Sequence, residues 1–111
     1  MKSWLKVGFV LSLAFLVPLL VLGGGDAAKG KTVFTSKCAT CHGPMGEGKD
    51  AIAKMFKVEM RHLGSKEVQA RPDAELRKII TEGNGKMKPV KLSDAESADV
   101  LAYVRCLALK K

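Results

Sequence analysis

A cysteine pair followed directly by a histidine is the feature that most constrains what this chain can fold into. Cys38 and Cys41 are three positions apart, His42 comes next, and a glycine-rich loop begins after it. Two thiols at this spacing can add to the two vinyl groups on one edge of a porphyrin, while the next imidazole reaches the iron. The C-x-x-C-H pattern therefore predicts one covalently attached haem c, with Cys38, Cys41 and His42 as its binding residues.

Three other uses of the cysteine pair are compatible with part of the pattern. A structural disulfide between Cys38 and Cys41 is compatible with an oxidising compartment. A redox-active pair of the thioredoxin kind requires a strand and helix context that the sequence does not show. A zinc site requires a second pair of ligands, for which only Cys106 and His62 remain. Haem attachment is the favoured interpretation.

The first 25 residues have the layout of a secretory signal. Lys2 and Lys6 form a short positive stretch, an apolar run covers residues 7–22, and three glycines follow. This run of 16 residues contains a proline and is shorter than the ~20 apolar residues that a transmembrane helix usually needs. The sequence therefore predicts export to the periplasm.

The position of cleavage has two candidates, since small residues precede both the bond after Gly25 and the bond after Ala27. Cleavage after Gly25 divides the chain into a signal peptide, residues 1–25, and one domain, residues 26–111. Retention of the apolar run over residues 7–22 as an N-terminal anchor is the alternative, and only then would the protein be membrane-associated.

The exported part of the chain is basic. Without Lys2 and Lys6, 17 of the 19 basic residues remain against 11 acidic residues, a formal charge of +6. Such a field favours encounter with an acidic protein or an anionic membrane surface. Nucleic-acid binding is not predicted, because the lysines are scattered and the single tryptophan, Trp4, lies in the signal.

Capping residues and apolar spacing predict an all-α domain with long irregular loops. The predicted helices run from Asp26 to about Lys37, Asp50 to Lys57, Asp73 to Glu82, and Ser93 to about Lys110. Ser93 and Glu96 form an S-x-x-E capping box. Residues 60–71 have no clear period and are predicted to be mostly loop.

The function depends on whether a second side chain binds the iron: a site bound on both sides transfers electrons, whereas a site with an open position can bind small molecules. The candidates are four methionines, one histidine and, more weakly, a lysine: Met45, Met55, Met60, Met87 and His62. Met87 is favoured, because the loop around it contains Gly83, Gly85 and Pro89 and can present its sulfur without meeting the demands of helix packing.

The other candidates each have a simpler reading. Met45 is too close to His42 in sequence to reach the opposite face of the ring. Met55 is predicted to pack in the core, Met60 is undecided, and His62 is expected in solvent or bonded to a backbone carbonyl. The remaining ring N–H of His42 needs an acceptor, for which the Pro44 carbonyl is a candidate.

The chain from Asp26 to Lys111 resembles a class I c-type cytochrome of the small single-haem group found in bacterial periplasms. The resemblance is carried by these residues: Gly30, Phe34, Cys38, Cys41, His42, the G-K-M-K-P sequence around Met87, Val100 and Tyr103. It implies a cytochrome c fold, with three to five short helices and loops wrapped around one covalent haem. It also implies that the first and last helices cross where Gly30 and Phe34 meet Tyr103.

The resemblance further implies a monomeric carrier of single electrons in a respiratory chain, not an enzyme, with His42 and Met87 as the iron ligands. Its partners would be redox proteins with acidic docking surfaces, bound by lysines around Met87: Lys86, Lys88 and Lys91. Solvation is the alternative role of these charges. The alternative function is a haem enzyme or gas sensor with an open iron position. Cys106 is expected to be a small apolar residue of the last helix.

Overall fold

The computed structural model describes residues 24–109, so the predicted signal sequence up to residue 23 and the last two lysines lie outside the described residues. Six helices and no strand are present in this range. They are α1 (Ala27–Lys37), α2 (Ala39–His42), α3 (Asp50–Phe56), α4 (Lys66–Gln69), α5 (Asp73–Glu82) and α6 (Asp94–Cys106). The predicted all-α class is confirmed. None of these helices is long and apolar enough to cross a membrane.

The predicted helices correspond to α1, α3, α5 and α6, and the main difference lies at the end of α6. This helix ends at Cys106 instead of near Lys110. The chain turns there because it meets another segment, and the N–H of Leu109 donates to the carbonyl of Gly64 at 2.9 Å. The last turn is therefore set by a tertiary hydrogen bond that helical spacing does not encode.

Two single turns raise the helix number to six, above the three to five that the resemblance implies. The first, α2, contains the end of the C-x-x-C-H segment. The second, α4, lies within residues 60–71, which were predicted to be mostly loop, and Ser65 caps it by accepting from the N–H of Val68 at 3.4 Å. Four-residue turns are too short to show a hydrophobic period.

The crossing of α1 and α6 is the largest contact between helices, and it places the predicted residues together. A Cβ at Gly30 would collide with the carbonyl oxygen of Asp99, so only glycine permits this approach. The rings of Phe34 and Tyr103 lie with centroids 5.2 Å apart and planes tilted by 57°. Such a pair contributes about 0.5–1.5 kcal/mol beyond its burial. Residues of this crossing, including Phe34 and Val100, form one wall of a cavity beside the C-x-x-C-H segment.

Capped helix ends hold the crossing in register. Asp26 caps α1 by accepting from the N–H groups of Ala28 and Lys29, at 2.9 and 3.2 Å. The predicted capping box is present, since Ser93 accepts from the N–H of Glu96 at 3.1 Å and the Glu96 carboxylate accepts from the N–H of Ser93 at 3.0 Å. This N–H group is the main reason why the pKa of Glu96 is lowered.

Arg105 joins α6 to the end of α4, the start of α5 and the turn between them. Its guanidinium donates to the carbonyls of Gln69 and Arg71, at 2.9 and 2.7 Å. It also forms an ion pair with Asp73 at 2.6 Å. A planar guanidinium group has several N–H donors and suits such multiple hydrogen bonds. The contacts position a stretch of chain that helical spacing left unassigned.

Candidate haem site

A largely apolar cavity of about 460 Å³ opens beside the C-x-x-C-H segment. Its walls come from α1, α3, α5 and α6, with these apolar residues among its lining: Phe34, Ile52, Phe56, Leu76, Ile79, Ile80, Val100, Leu101 and Val104. Clefts of this volume lined by apolar side chains are typical of small-molecule and cofactor sites. The cavity therefore suits a flat apolar ring.

The three residues of the opening motif reach this cavity through α2. Cys38 is the N-cap of this single turn, His42 is its last residue, and Gly43 ends it with a φ of 84°. The side chains of Cys38, Cys41 and His42 all line the cavity. Residues three and four positions apart share one side of a helical turn, so the local fold presents both thiols and the imidazole together.

His42 is suited to bind a metal ion. Burial lowers the pKa of its imidazole below the ordinary value, which favours the neutral form that a metal requires. Its Nδ1 atom is buried and has no hydrogen-bond partner among the described residues. The carbonyl of Pro44 accepts from the Tyr103 hydroxyl at 3.2 Å, and a bond from His42 to this carbonyl is not found between residues 24 and 109.

The environment of Cys38 disfavours a thiol redox function. Burial raises the pKa of this thiol, and nearby Lys37 opposes the rise to a smaller extent. Reactive cysteines of the thioredoxin kind instead have lowered pKa values. Cys38 and Cys41 are not joined by a disulfide in this structure. For the zinc alternative, no group of three or more His, Cys, Asp or Glu residues suited to a metal ion occurs in the described part of the chain.

Two of the candidate methionines line the cavity, Met87 and Met60. The side chains of Met45 and Met55 are 58% and 65% exposed. The prediction that Met55 packs in the core is therefore wrong, because α3 turns other residues inward. Met87 and Met60 are the thioethers that the fold brings to the same cavity as His42.

His62 and Cys106 lie outside the cavity lining. The Nδ1 atom of His62 accepts from the N–H of Gly64 at 2.9 Å, so a turn in the backbone uses this nitrogen. Cys106 is exposed at the end of α6. The prediction that it serves as a packed apolar residue is wrong, because the buried face of this helix passes through Val100 and Val104.

A tight turn presents Met87. The N–H of Asn84 donates to the carbonyl of Met87 and the N–H of Met87 donates to the carbonyl of Asn84, both at 2.9 Å. The two residues between them begin with Gly85, whose φ is 57°. Two-residue turns closed by such a reciprocal pair favour glycine at the first central position. The expectation that a glycine-containing loop carries Met87 is confirmed.

Apart from Met60, a candidate iron ligand, part of the cavity wall follows no pattern in the sequence. Residues of the segment between α3 and α5 line it: Val58, Glu59, Met60, Arg61, Leu63, Val68 and Arg71. They share no helical or alternating spacing, so neither pattern identifies them. This part of the wall is held in place by contacts between residues far apart in the chain, including the hydrogen bonds of Arg105.

The all-helical fold and a cavity that gathers C-x-x-C-H with a loop thioether define a c-type haem protein. The sequence model of the family described as "Cytochrome C oxidase, cbb3-type, subunit III" matches residues 25–104. The chain belongs to the class I c-type cytochromes. It accordingly binds haem c covalently and acts as an electron carrier that exchanges electrons with redox proteins.

Individual relatives and solved structures agree with this membership. The chain is 40% identical over 88 residues to a cytochrome c6 of Rippkaea orientalis, covering 78% of this chain and 72% of the relative. It is 36% identical over 100 residues to a cytochrome c6 of Synechocystis, covering 83% and 78%. The structure of the KustC0563 c-type cytochrome is similar, with a TM-score of 0.62, 27% identity, and coverage of 72% of this chain and 98% of that one.

Proposed function

We propose that this protein is a periplasmic carrier of single electrons, with haem c attached through Cys38 and Cys41 and the iron bound by His42 and Met87. The observation that carries the proposal is one apolar cavity lined by both cysteines, the buried imidazole and the loop thioether. When bound, the haem supplies an iron that takes up and releases one electron.

The two proposed ligands suit electron transfer more than chemistry at the iron. Neutral His42 and the Met87 thioether would both hold the iron, so no ligand would have to leave when its charge changes. A thioether also favours ferrous iron and raises the potential above that of a bis-histidine site. The apolar walls exclude water, which disfavours the extra charge of the ferric state.

Processing between Gly25 and Asp26 is the second part of the proposal. The backbone nitrogen of Asp26 donates to Asp99 at 2.8 Å, and its carboxylate caps α1. Cleavage after Ala27 would remove both contacts. Hydrolysis after Gly25 keeps them and converts the nitrogen to an ammonium group beside the Asp99 carboxylate, so the fold supports Asp26 as the first residue of the mature protein.

One preparation tests these statements. The full-length chain, expressed with a haem c maturation system and recovered from the periplasm, should have the mass of residues 26–111 plus one haem. The reduced protein should not bind carbon monoxide readily, because Met87 occupies the sixth position. A haem enzyme or gas sensor would instead bind it at once. A mass that includes residues 7–22 would support the anchor, and a mass without haem would contradict the assignment.

We further propose that lysines beside the cavity receive acidic redox partners. Lys86 lines the cavity and its ammonium group donates to the carbonyl of Phe56 at 3.4 Å. Lys88 is exposed one residue beyond the proposed ligand. Positive charge at this position would raise the encounter rate with an anionic partner, an effect that salt screens.

Oxidation by two small reagents of opposite charge tests this surface. We expect the rate with ferricyanide, an anion, to fall as ionic strength rises, and the rate with a cationic cobalt(III) phenanthroline complex to rise. Lys86→Gln combined with Lys88→Gln should slow the ferricyanide reaction about two- to fivefold at low salt. Lys78→Gln is the control for one lost charge, because helical spacing places residue 78 opposite the cavity-lining side of α5. If Lys78→Gln slows the ferricyanide reaction as much as the double variant does, the lysines beside the cavity serve only solvation.

A further inference from the structure

We propose that Gly83 is a positioning residue for the Met87 thioether. The absence of a side chain at residue 83 allows the carbonyl oxygen of Met87 to lie 2.7 Å from the position that a Cβ atom would take. This inference rests on the proposed function, because it takes Met87 as the second iron ligand. Gly83 itself has no side chain that could touch the haem, and its effect is exerted through the backbone of the ligand loop.

The contact is between backbone atoms. A Cβ at residue 83 would lie 2.7 Å from the carbonyl oxygen of Met87 and 3.0 Å from the nitrogen and the Cδ atom of Pro89. A contact of 2.7 Å is shorter than real Cβ atoms show. A flexible side chain could rotate away from such a contact, whereas a main-chain carbonyl can move only with the loop. A side chain at this position must therefore displace Met87.

The conformation of Gly83 adds a second requirement. Its φ is 85° and its ψ is 170°, a region that side-chain-bearing residues essentially do not occupy. Its N–H donates to the carbonyl of Ile79 at 2.9 Å and ends α5. Ile79 belongs to the cavity wall. Gly83 is thus the joint at which the wall helix stops and the ligand loop changes direction.

The rest of the loop is held too firmly to absorb a displacement locally. The reciprocal hydrogen bonds between Asn84 and Met87 close the turn. Beyond it, the N–H of Val90 donates to the carbonyl of Ile80 at 2.9 Å and fixes the exit to α5. A movement at the Met87 carbonyl therefore changes where its side chain enters the cavity. With haem bound, the side chain of Met87 would then be held away from the position in which it could bind the iron.

Gly83→Ala should increase the population in which the sixth position is open. The apparent affinity of an added ligand scales with this population, so the affinity of the ferric protein for imidazole should rise about tenfold. The weak red sulfur-to-iron absorption band should decrease in parallel. The reduction potential should fall, because the ferrous form loses thioether stabilisation.

Two control variants separate positioning from loss of stability. Asp73→Ala removes the ion pair with Arg105 at the opposite end of α5, and Ser93→Ala removes the cap of α6, outside the turn from Asn84 to Met87. Both should lower the melting temperature while leaving the red band unchanged and imidazole affinity within about twofold of the unmodified protein.

The results distinguish an error in the role of Gly83 from an error in the choice of Met87 as ligand. If Gly83→Ala changes imidazole affinity no more than Asp73→Ala and Ser93→Ala do, Gly83 is an ordinary turn residue and the inference is wrong. If the holoprotein of Gly83→Ala does not accumulate, Gly83→Asn provides the second test, because asparagine tolerates a positive φ better than alanine but brings the same Cβ, and should also raise imidazole affinity. No change with Gly83→Asn would then count against the inference. A red band that persists in Met87→Ala would instead contradict the proposed ligand.

Discussion

Replacing Cys38 and Cys41 together by alanine is expected to abolish haem attachment and, with it, the folded state. The exported domain is small, and its apolar side chains surround a cavity of about 460 Å³. Without the haem, the apolar lining of this open cavity would face water, and apolar surface left in water forfeits about 25 cal/mol per Å². Small domains have total stabilities of about 5–15 kcal/mol. Loss of the ring should therefore remove a large share of the stability.

Thermal unfolding followed by circular dichroism measures this effect. Cys106→Ala is the matched control, because it removes an exposed cysteine and should change stability by no more than about 0.5 kcal/mol. Single replacements of Cys38 or Cys41 leave one thiol for attachment and should give intermediate yields of pigmented protein. A colourless double variant that melts cooperatively would show that the helices form a stable core without haem.

The second large effect is expected from Met87→Ala. Loss of the thioether should remove the sulfur-to-iron band, permit carbon monoxide binding by the reduced protein, and lower the reduction potential by on the order of 0.1 V. Covalent attachment of haem should persist, since the cysteines are unchanged. Visible spectroscopy of the ferric protein and redox titration give the result directly.

Met60→Ala is the control that this prediction needs, because Met60 lines the same cavity. Met60 is half-buried, so its truncation should cost less than the about 2–5 kcal/mol of a fully buried methionine. This variant should therefore be slightly less stable but keep the red band. The reverse outcome, in which Met60→Ala loses the band and Met87→Ala keeps it, would transfer the role of ligand to Met60. Met60 and Met87 line the same cavity, so the two variants together identify which thioether binds the iron.

The elements that could be predicted depend on residues close together in the chain. The capping box of Ser93 and Glu96 joins positions three apart, and the fold contains it as expected. The same holds for α5, whose predicted and observed limits agree. The crossing of Gly30 and Phe34 with Tyr103 is a long-range feature, and it became accessible only through the resemblance to a family.

The parts that could not be predicted depend on contacts between distant segments. Arg105 bonds to carbonyls more than 30 positions away, and no spacing rule identifies such partners. Helical spacing places Met55 on the same apolar side of α3 as Ile52 and Phe56, which predicts core packing, but only Ile52 and Phe56 line the cavity.

The amino-acid sequence alone determined the covalent chemistry, because a C-x-x-C-H segment joins thiols and imidazole to one ring through a few adjacent residues. It also determined the helix starts, since capping is satisfied within one turn. Only the tertiary structure decided which thioethers share the cavity with His42 and which residues form its far wall. These choices depend on how helices pack around an apolar space, and packing brings together side chains that the chain order keeps apart.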